Sequence, residues 1–189
     1  MPRCDWCGDD PLYVKYHDDE WGVPLRDERA MFEFLLLEGA QAGLSWITIL
    51  RKREGYRKVF DGFDVQKIAR YSDKTLEKKL TDARIVRNRL KVFGARKNAQ
   101  ATLRLYESGE TLVDYFWKFL DGCPLQNHFQ TMADVPAETD LSRTISKDLK
   151  KRGFTFVGPT IVYAHMQATG MVNDHLVSCP RHQECAQLA

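Results

Sequence analysis

The chain has 189 residues, 43% of them hydrophobic and 29% charged, and a formal net charge of +2 at pH 7. A chain of this size buries roughly 70% of its unfolded surface and needs neither disulfides nor a metal in order to fold. No run approaches the roughly 20 apolar residues that would span a bilayer, and the start lacks the basic and apolar regions of a secretory signal, so a soluble cytoplasmic protein with no membrane partner is expected.

Helical periodicity dominates from residue 27 to about 170, which predicts an all-α protein. Asp27 is placed to cap a helix carrying Met31, Phe34, Leu35 and Ala42, with Gly43 as its stop. Ser45 is placed to cap another that begins at Trp46. Val92, Ala95, Ala99, Leu103 and Tyr106 recur at helical spacing, with Gly109 closing that helix, and Leu112, Phe116, Phe119 and Leu120 continue the pattern. Residues 122–139, with Pro124 and Pro136, read as a long connection. Thr139 or Asp140 then caps a helix with Leu141, Ile145 and Leu149 that ends at Gly153, and Pro159 opens a last helix over 160–169. Strand-like alternation is scarce, and residues 154–157 read as a loop between two helices.

Charge is segregated along the chain. Residues 5–28 hold eight acids against Lys15 and Arg26, whereas residues 84–97 hold six bases (Arg84, Arg87, Arg89, Lys91, Arg96, Lys97) and no acid. Residues 143–152 add Arg143, Lys147, Lys150, Lys151 and Arg152 against Asp148. Such segments are phosphate-binding footprints or ordinary solvated helix faces.

Three constellations carry chemistry. The first is the turn GFTFVGPT, residues 153–160, between two predicted helices. Glycines there permit close backbone approach, and the free amides at the start of the second helix are suited to a phosphate oxygen. Lys151 and Arg152 stand directly before it, and Gly158 is its expected DNA-contacting glycine, an ordinary helix connection being the alternative. The second is LEGAQAGLSW, residues 37–46, preceded by Tyr13, Tyr16 and Trp21. Glu38 falls seven residues after Met31 and four after Phe34, which puts a carboxylate on an apolar helix face. It is either a paired structural acid or, among aromatics, a receptor for a flat cation. The third is the set Cys4, Cys7, His17, His175, Cys179, His182 and Cys185. Five cysteines, four of them near the ends of the chain, suit metal better than disulfides, and thiolate with imidazole favours zinc. Local spacing prefers a ribbon of Cys4, Cys7, Cys179 and Cys185 over a Cys2His2 site of Cys4, His17, His175 and Cys179.

Taken together, PLYVKYHDDEWGVP (11–24), LEGAQAGLSWI (37–47), KRGFTFVGP (151–159) and MVNDH (171–175) closely resemble the bacterial 3-methyladenine DNA glycosylase I family of the helix-hairpin-helix superfamily. The resemblance covers Cys4 to about Cys179. It implies a helix-hairpin-helix glycosylase fold over residues 1–180, as one domain or two small helical lobes around one cleft, with 181–189 as a tail. The implied activity is hydrolysis of the N-glycosidic bond of 3-methyladenine in alkylated duplex DNA after base flipping, with free 3-methyladenine as product. It further implies a base pocket of Glu38, Tyr16 and Trp46 with Tyr13, Trp21 and Gln41 nearby, and one structural zinc per chain on Cys4, His17, His175 and Cys179, which displaces the ribbon.

Bifunctional members of the superfamily carry a lysine near the start of the second hairpin helix. Here that stretch is Gly158-Pro-Thr160, so base release without strand cleavage is expected. Leu44, after a glycine at a helix end, reads as the wedge that fills the vacated stack or as a core leucine. A monomer is expected. The rival readings are a non-catalytic zinc-containing DNA-binding module and a zinc hydrolase, the latter needing an open coordination position.

Overall fold

The computed structural model describes residues 2–188. Helix α1 (Pro11–Asp19) starts at Asp10, whose carboxylate accepts from the amides of Leu12 and Tyr13, with Pro11 in the first turn. Helix α2 (Glu28–Gln41) is capped by Asp27, as expected. Every residue from Met31 to Ala40 is buried, so beyond its first turn it is a central helix with no solvent face. Helix α3 (Trp46–Val59) follows Ser45, whose hydroxyl bonds the Thr48 hydroxyl and caps no amide.

Two short helices, α4 (Val65–Ala69) and α5 (Asp73–Lys79), are capped by Asp64 and Ser72 and were not predicted, because neither is long enough to show a period. Helix α6 (Arg89–Glu107) starts at the Asn88 cap, and α7 (Leu112–Trp117) is capped by the hydroxyl of Thr111. The Glu28 carboxylate accepts from the amides of Leu112 and Val113, so an acid at the start of α2 also satisfies the start of α7.

Residues 122–139 are not a bare connection. Strand β1 (Leu125–Gln126) pairs in parallel with β2 (Val172–Asn173), Leu125 opposite Val172. Alternation over two residues is invisible in a sequence, and this ladder is created by the approach of distant segments. Helix α8 (Asp140–Lys151) is capped by Thr139, and α9 (Pro159–Ala168) begins after Gly158. The segment expected as a tail carries helix α10 (Pro180–Ala186) with Cys185 buried, so the boundary drawn at 180 falls inside folded structure. Ala189 lies outside the described residues.

The core forms around α2, which packs against α3, α6, α7 and α9, while α8 packs against α9. Predicted stops at Gly43, Gly109 and Gly153 all have positive φ, from 80° to 88°. No described helix is long and apolar enough to cross a membrane.

Candidate active site, metal centre and DNA face

Helix α1 serves two sites with one turn. Tyr13 and Tyr16 share a face at i, i+3, and His17 follows on the next position. The tyrosines line a cavity of about 180 Å³ together with Trp6, Trp21, Glu38, Gln41, Trp46, Met132, Ala164 and Gln167. Every residue expected in the base pocket is therefore at one cavity. The aromatic walls interlock: Tyr16 and Trp46 have centroids 5.3 Å apart, Trp6 stands edge-on to Tyr13 at 5.0 Å, and Trp6 meets Trp21 at 4.9 Å.

Glu38 is 4% exposed and makes no hydrogen bond or ion pair among the described residues. Burial pushes its carboxyl up to about 8, and the Tyr16 hydroxyl is raised by its own burial and by the Glu38 charge. Glu33, on the same helix, shows the opposite solution to the same problem. Its carboxylate is equally buried but receives Arg53 Nε at 2.5 Å and Arg57 Nη2 at 2.8 Å. The paired structural acid of α2 is thus Glu33, and Glu38 is the unpaired one. The indole N–H groups of Trp6 and Trp46 are also buried without a partner. A concave aromatic chamber with one unpaired carboxylate and two free donors is built for a flat polar ligand, with extra affinity for a cation.

Trp6, Met132, Ala164 and Gln167 were missed by sequence reading. Trp6 had a signal, since it lies inside the Cys4–Cys7 spacing, but there the eye goes to the thiols. The other three reach the cavity only through tertiary packing. Asp174, fully buried, accepts from Tyr163 Oη at 2.6 Å, Gln167 Nε2 at 2.8 Å and Asn127 Nδ2 at 2.6 Å. It fixes Gln167 at the cavity wall and is not itself among the residues that line the cavity.

Beside this chamber, Cys4, His17, His175 and Cys179 are all buried, and their donor atoms lie within 4.8 Å of one another. Cys4 Sγ is 3.7 Å from His175 Nδ1, and Cys179 Sγ is 3.7 Å from His17 Nε2. The ring nitrogens turned away are held: His175 Nε2 donates to the Trp21 carbonyl at 2.9 Å, and His17 Nδ1 bonds Asp18 at 2.8 Å. Each imidazole therefore presents a lone pair inward, as a metal ligand must. Burial keeps His175 neutral, lowering it to about 3, and pushes the Cys4 thiol up to about 12, so only a cation would bring that thiolate into the site. The set fits a closed four-ligand metal centre. The ribbon preferred by local spacing does not form: Cys7 Sγ donates to the Cys4 carbonyl, and Cys185 Sγ sits against Arg181.

The hairpin of α8 and α9 is pinned from behind. Asn98 of α6 receives the Thr155 amide at 2.7 Å and donates to its carbonyl at 3.0 Å, while Ser146 donates to the Val157 carbonyl at 2.6 Å. A Cβ on Gly39 or Gly94 would meet the Phe156 side chain at 3.0–3.1 Å, so both are glycine to let the turn dock. Gly158 is different. Its φ is −61° and a Cβ there would meet nothing within 4 Å, so nothing inside the fold requires glycine. No side chain caps the first amides of α9.

Lys151 is exposed and without an ion pair among the described residues. Arg152 is drawn back onto the protein, with Nε 2.6 Å from Asp148 and its guanidinium 5.1 Å from the Tyr115 ring centroid. Its side chain already has partners within the fold, which a sequence run of three bases does not reveal. Leu44, at 42% exposed, is no core leucine.

A methyladenine glycosylase family model matches residues 6–182 of this sequence. The chain belongs to the methyladenine glycosylase family. It is 49% identical over 179 residues to the DNA-3-methyladenine glycosylase 1 of Escherichia coli K12, covering 95% of this chain and 96% of that protein. The Haemophilus influenzae DNA-3-methyladenine glycosylase is 44% identical, covering 94% and 96%. Among solved structures, a crystal structure of 3-methyladenine DNA glycosylase I superposes with a TM-score of 0.93 at 47% identity, over 95% of this chain and 98% of that one. A Staphylococcus aureus 3-methyladenine DNA glycosylase I, solved to explain 3-methyladenine recognition, superposes at 0.91 with 35% identity over 94% of each chain. These two solved relatives thus share the fold of this chain over nearly its whole length.

Proposed function

We propose that this glycosylase releases 3-methyladenine from alkylated duplex DNA in base-excision repair, by hydrolysing the N-glycosidic bond of a nucleotide flipped into the chamber. The observation that carries this reading is Glu38, a carboxylate held unpaired inside an aromatic cavity of about 180 Å³. An N3-methylated adenine nucleotide is cationic, whereas adenine is neutral. Tyr16 and Trp46 supply ring faces that attract the cation, Tyr13, Trp21 and Gln41 complete the walls, and Glu38 accepts from the exocyclic amino group. The methylated base is already a good leaving group, so the protein has to extract it, orient it and hold it while water adds to the sugar.

No lysine lines the chamber and the start of α9 reads Gly158-Pro-Thr160, which supports a monofunctional enzyme that leaves the strand intact. Gly158 and the uncapped amides of α9, with Lys151 alongside, grip the phosphate backbone, and Leu44 fills the vacated stack. Cys4, His17, His175 and Cys179 hold one Zn²⁺, which cross-links the two ends of the chain. A closed set of four leaves no open position, so the metal is structural, and a zinc hydrolase is disfavoured. The reduced thiols of that centre and the DNA substrate suit a cytoplasmic monomer folded as one domain.

The test is to incubate the protein with methylated duplex DNA and identify what is released. Free 3-methyladenine from an intact strand is the expected result. Release of 7-methylguanine as main product, nicking without added base or heat, or DNA binding without base release would each refute the reading, the last in favour of a non-catalytic module.

A further inference from the structure

The basic segment 84–97 is not absorbed by the hairpin or the pocket. Folding neutralises about half of it: Arg84 pairs with Asp82, Arg89 with Glu77 and Arg96 with Asp73. Arg87 makes no ion pair among the described residues and is exposed. Next to it, in the first turn of α6, Leu90 is 72% exposed, against 42% for Leu44 and 54% for Leu188 near the chain end. One exposed leucine is ordinary on a protein surface, so its position in the fold has to carry any argument for a role.

Its location supplies one. Lys91 Nζ donates to the carbonyls of Ala40 at 2.7 Å and Ala42 at 2.6 Å, which fastens the start of α6 to the end of α2, two residues from the Leu44 tip. On the other side, Gly94 and Asn98 of α6 hold Phe156 and Thr155 of the hairpin turn. Val86, Lys91, Gly39, Ala40 and Phe156 also line one shallow hollow between these parts. The start of α6 is therefore fastened to the segment that leads into the Leu44 loop and, through its next two turns, to the hairpin turn. A duplex seated there meets a cation and an apolar side chain together, the pairing used by proteins that press on a minor groove.

Resting on the glycosylase reading above, we propose that Arg87 and Leu90 form a second DNA-contacting edge, Leu90 packing on the sugars and base edges of the minor groove beside the extracted nucleotide while Arg87 pairs with a backbone phosphate. This edge supports the duplex next to Leu44, which is then not the only apolar residue that stabilises the distorted site.

The experiment measures affinity for an undamaged duplex and for the same duplex with an abasic-site analogue, over a range of salt, for the parent, Leu90→Ala, Leu90→Glu and Arg87→Ala. Removing Leu90 should weaken abasic-duplex binding by roughly five- to twentyfold and undamaged-duplex binding much less, as expected from lost apolar burial at a distorted step. Arg87→Ala should weaken both and reduce the slope of log K against log salt by about one. Melting temperature should stay at the parental value, because both side chains are exposed. Variants that melt normally and bind both duplexes like the parent overturn the proposal. So does concentration-dependent self-association of the parent that Leu90→Glu abolishes, which would make the patch a contact between copies. A parent that binds DNA but releases no methylated base would sink the glycosylase reading and leave this edge standing.

Discussion

Glu33 and Glu38 occupy one helix, are equally hidden from water, and do opposite things because only one has arginines beside it. For Glu38 the consequence is a pH-dependent loss of stability. Its carboxyl is raised from 4.5 to about 8, so the unfolded chain ionises first and the empty folded protein is destabilised as pH climbs between those values, by about 1.4 kcal/mol per unit. Glu38→Gln removes that charge with little change of shape. The variant should melt higher than the parent near neutral pH, with the difference vanishing towards pH 4.5 and levelling off above 8, as followed by thermal melts across pH. Excision of 3-methyladenine should meanwhile fall by one to two orders of magnitude, the size of a charge-assisted hydrogen bond of about 1.5–3 kcal/mol, read as kcat/KM. A variant that melts lower yet excises normally would make Glu38 a structural acid. The carboxylate among apolar residues was legible in the sequence. That it is unpaired was not, since both candidate arginines lie on α3 and pairing depends on which face of α2 they reach.

At the scale of elements, the hairpin separates glycines that serve the fold from one that serves a ligand. A Cβ on Gly94 would meet the Phe156 ring at 3.1 Å, so Gly94→Val should displace the turn and lower the melting temperature. Gly158 faces open space in a conformation any residue adopts, so Gly158→Val should melt like the parent but bind every duplex more weakly, damaged or not, in a filter or fluorescence titration. Equal DNA affinity would reduce the turn to a connector. Caps at Asp27, Thr139 and the positive-φ glycines were readable because each is a local chemical device within a turn of its target. Helices α4 and α5 and the β1–β2 ladder escaped because five to seven residues, or two, carry no period. Arg152 shows a related limit: a charge run gives how many cations are present, but the arrangement of Asp148 and Tyr115 decides how each is partnered.

Across the whole molecule, the Cys4, His17, His175 and Cys179 cluster brings residues near the start of the chain to residues some 170 positions later, and its flanks form walls of the chamber: Tyr16 precedes His17, and the Trp21 carbonyl orients His175. Chelation should therefore lower the melting temperature and disturb the aromatic cavity, seen as changed tryptophan fluorescence before activity is lost altogether. His17→Ala should lose the metal and Cys7→Ser should keep it, by metal analysis of the purified variants. Retention by His17→Ala would restore the ribbon. Sequence by itself determined the helical class, the principal caps, the hairpin turn and, through long motifs, the family, because these depend on neighbours within a few turns of chain or on residue strings too specific to arise by composition. Only the tertiary structure decided which four of seven candidate ligands meet, that Trp6, Met132 and Gln167 join the chamber, and which charges stay free. Those are questions of distance between segments far apart in the chain, and local spacing contains no measure of it.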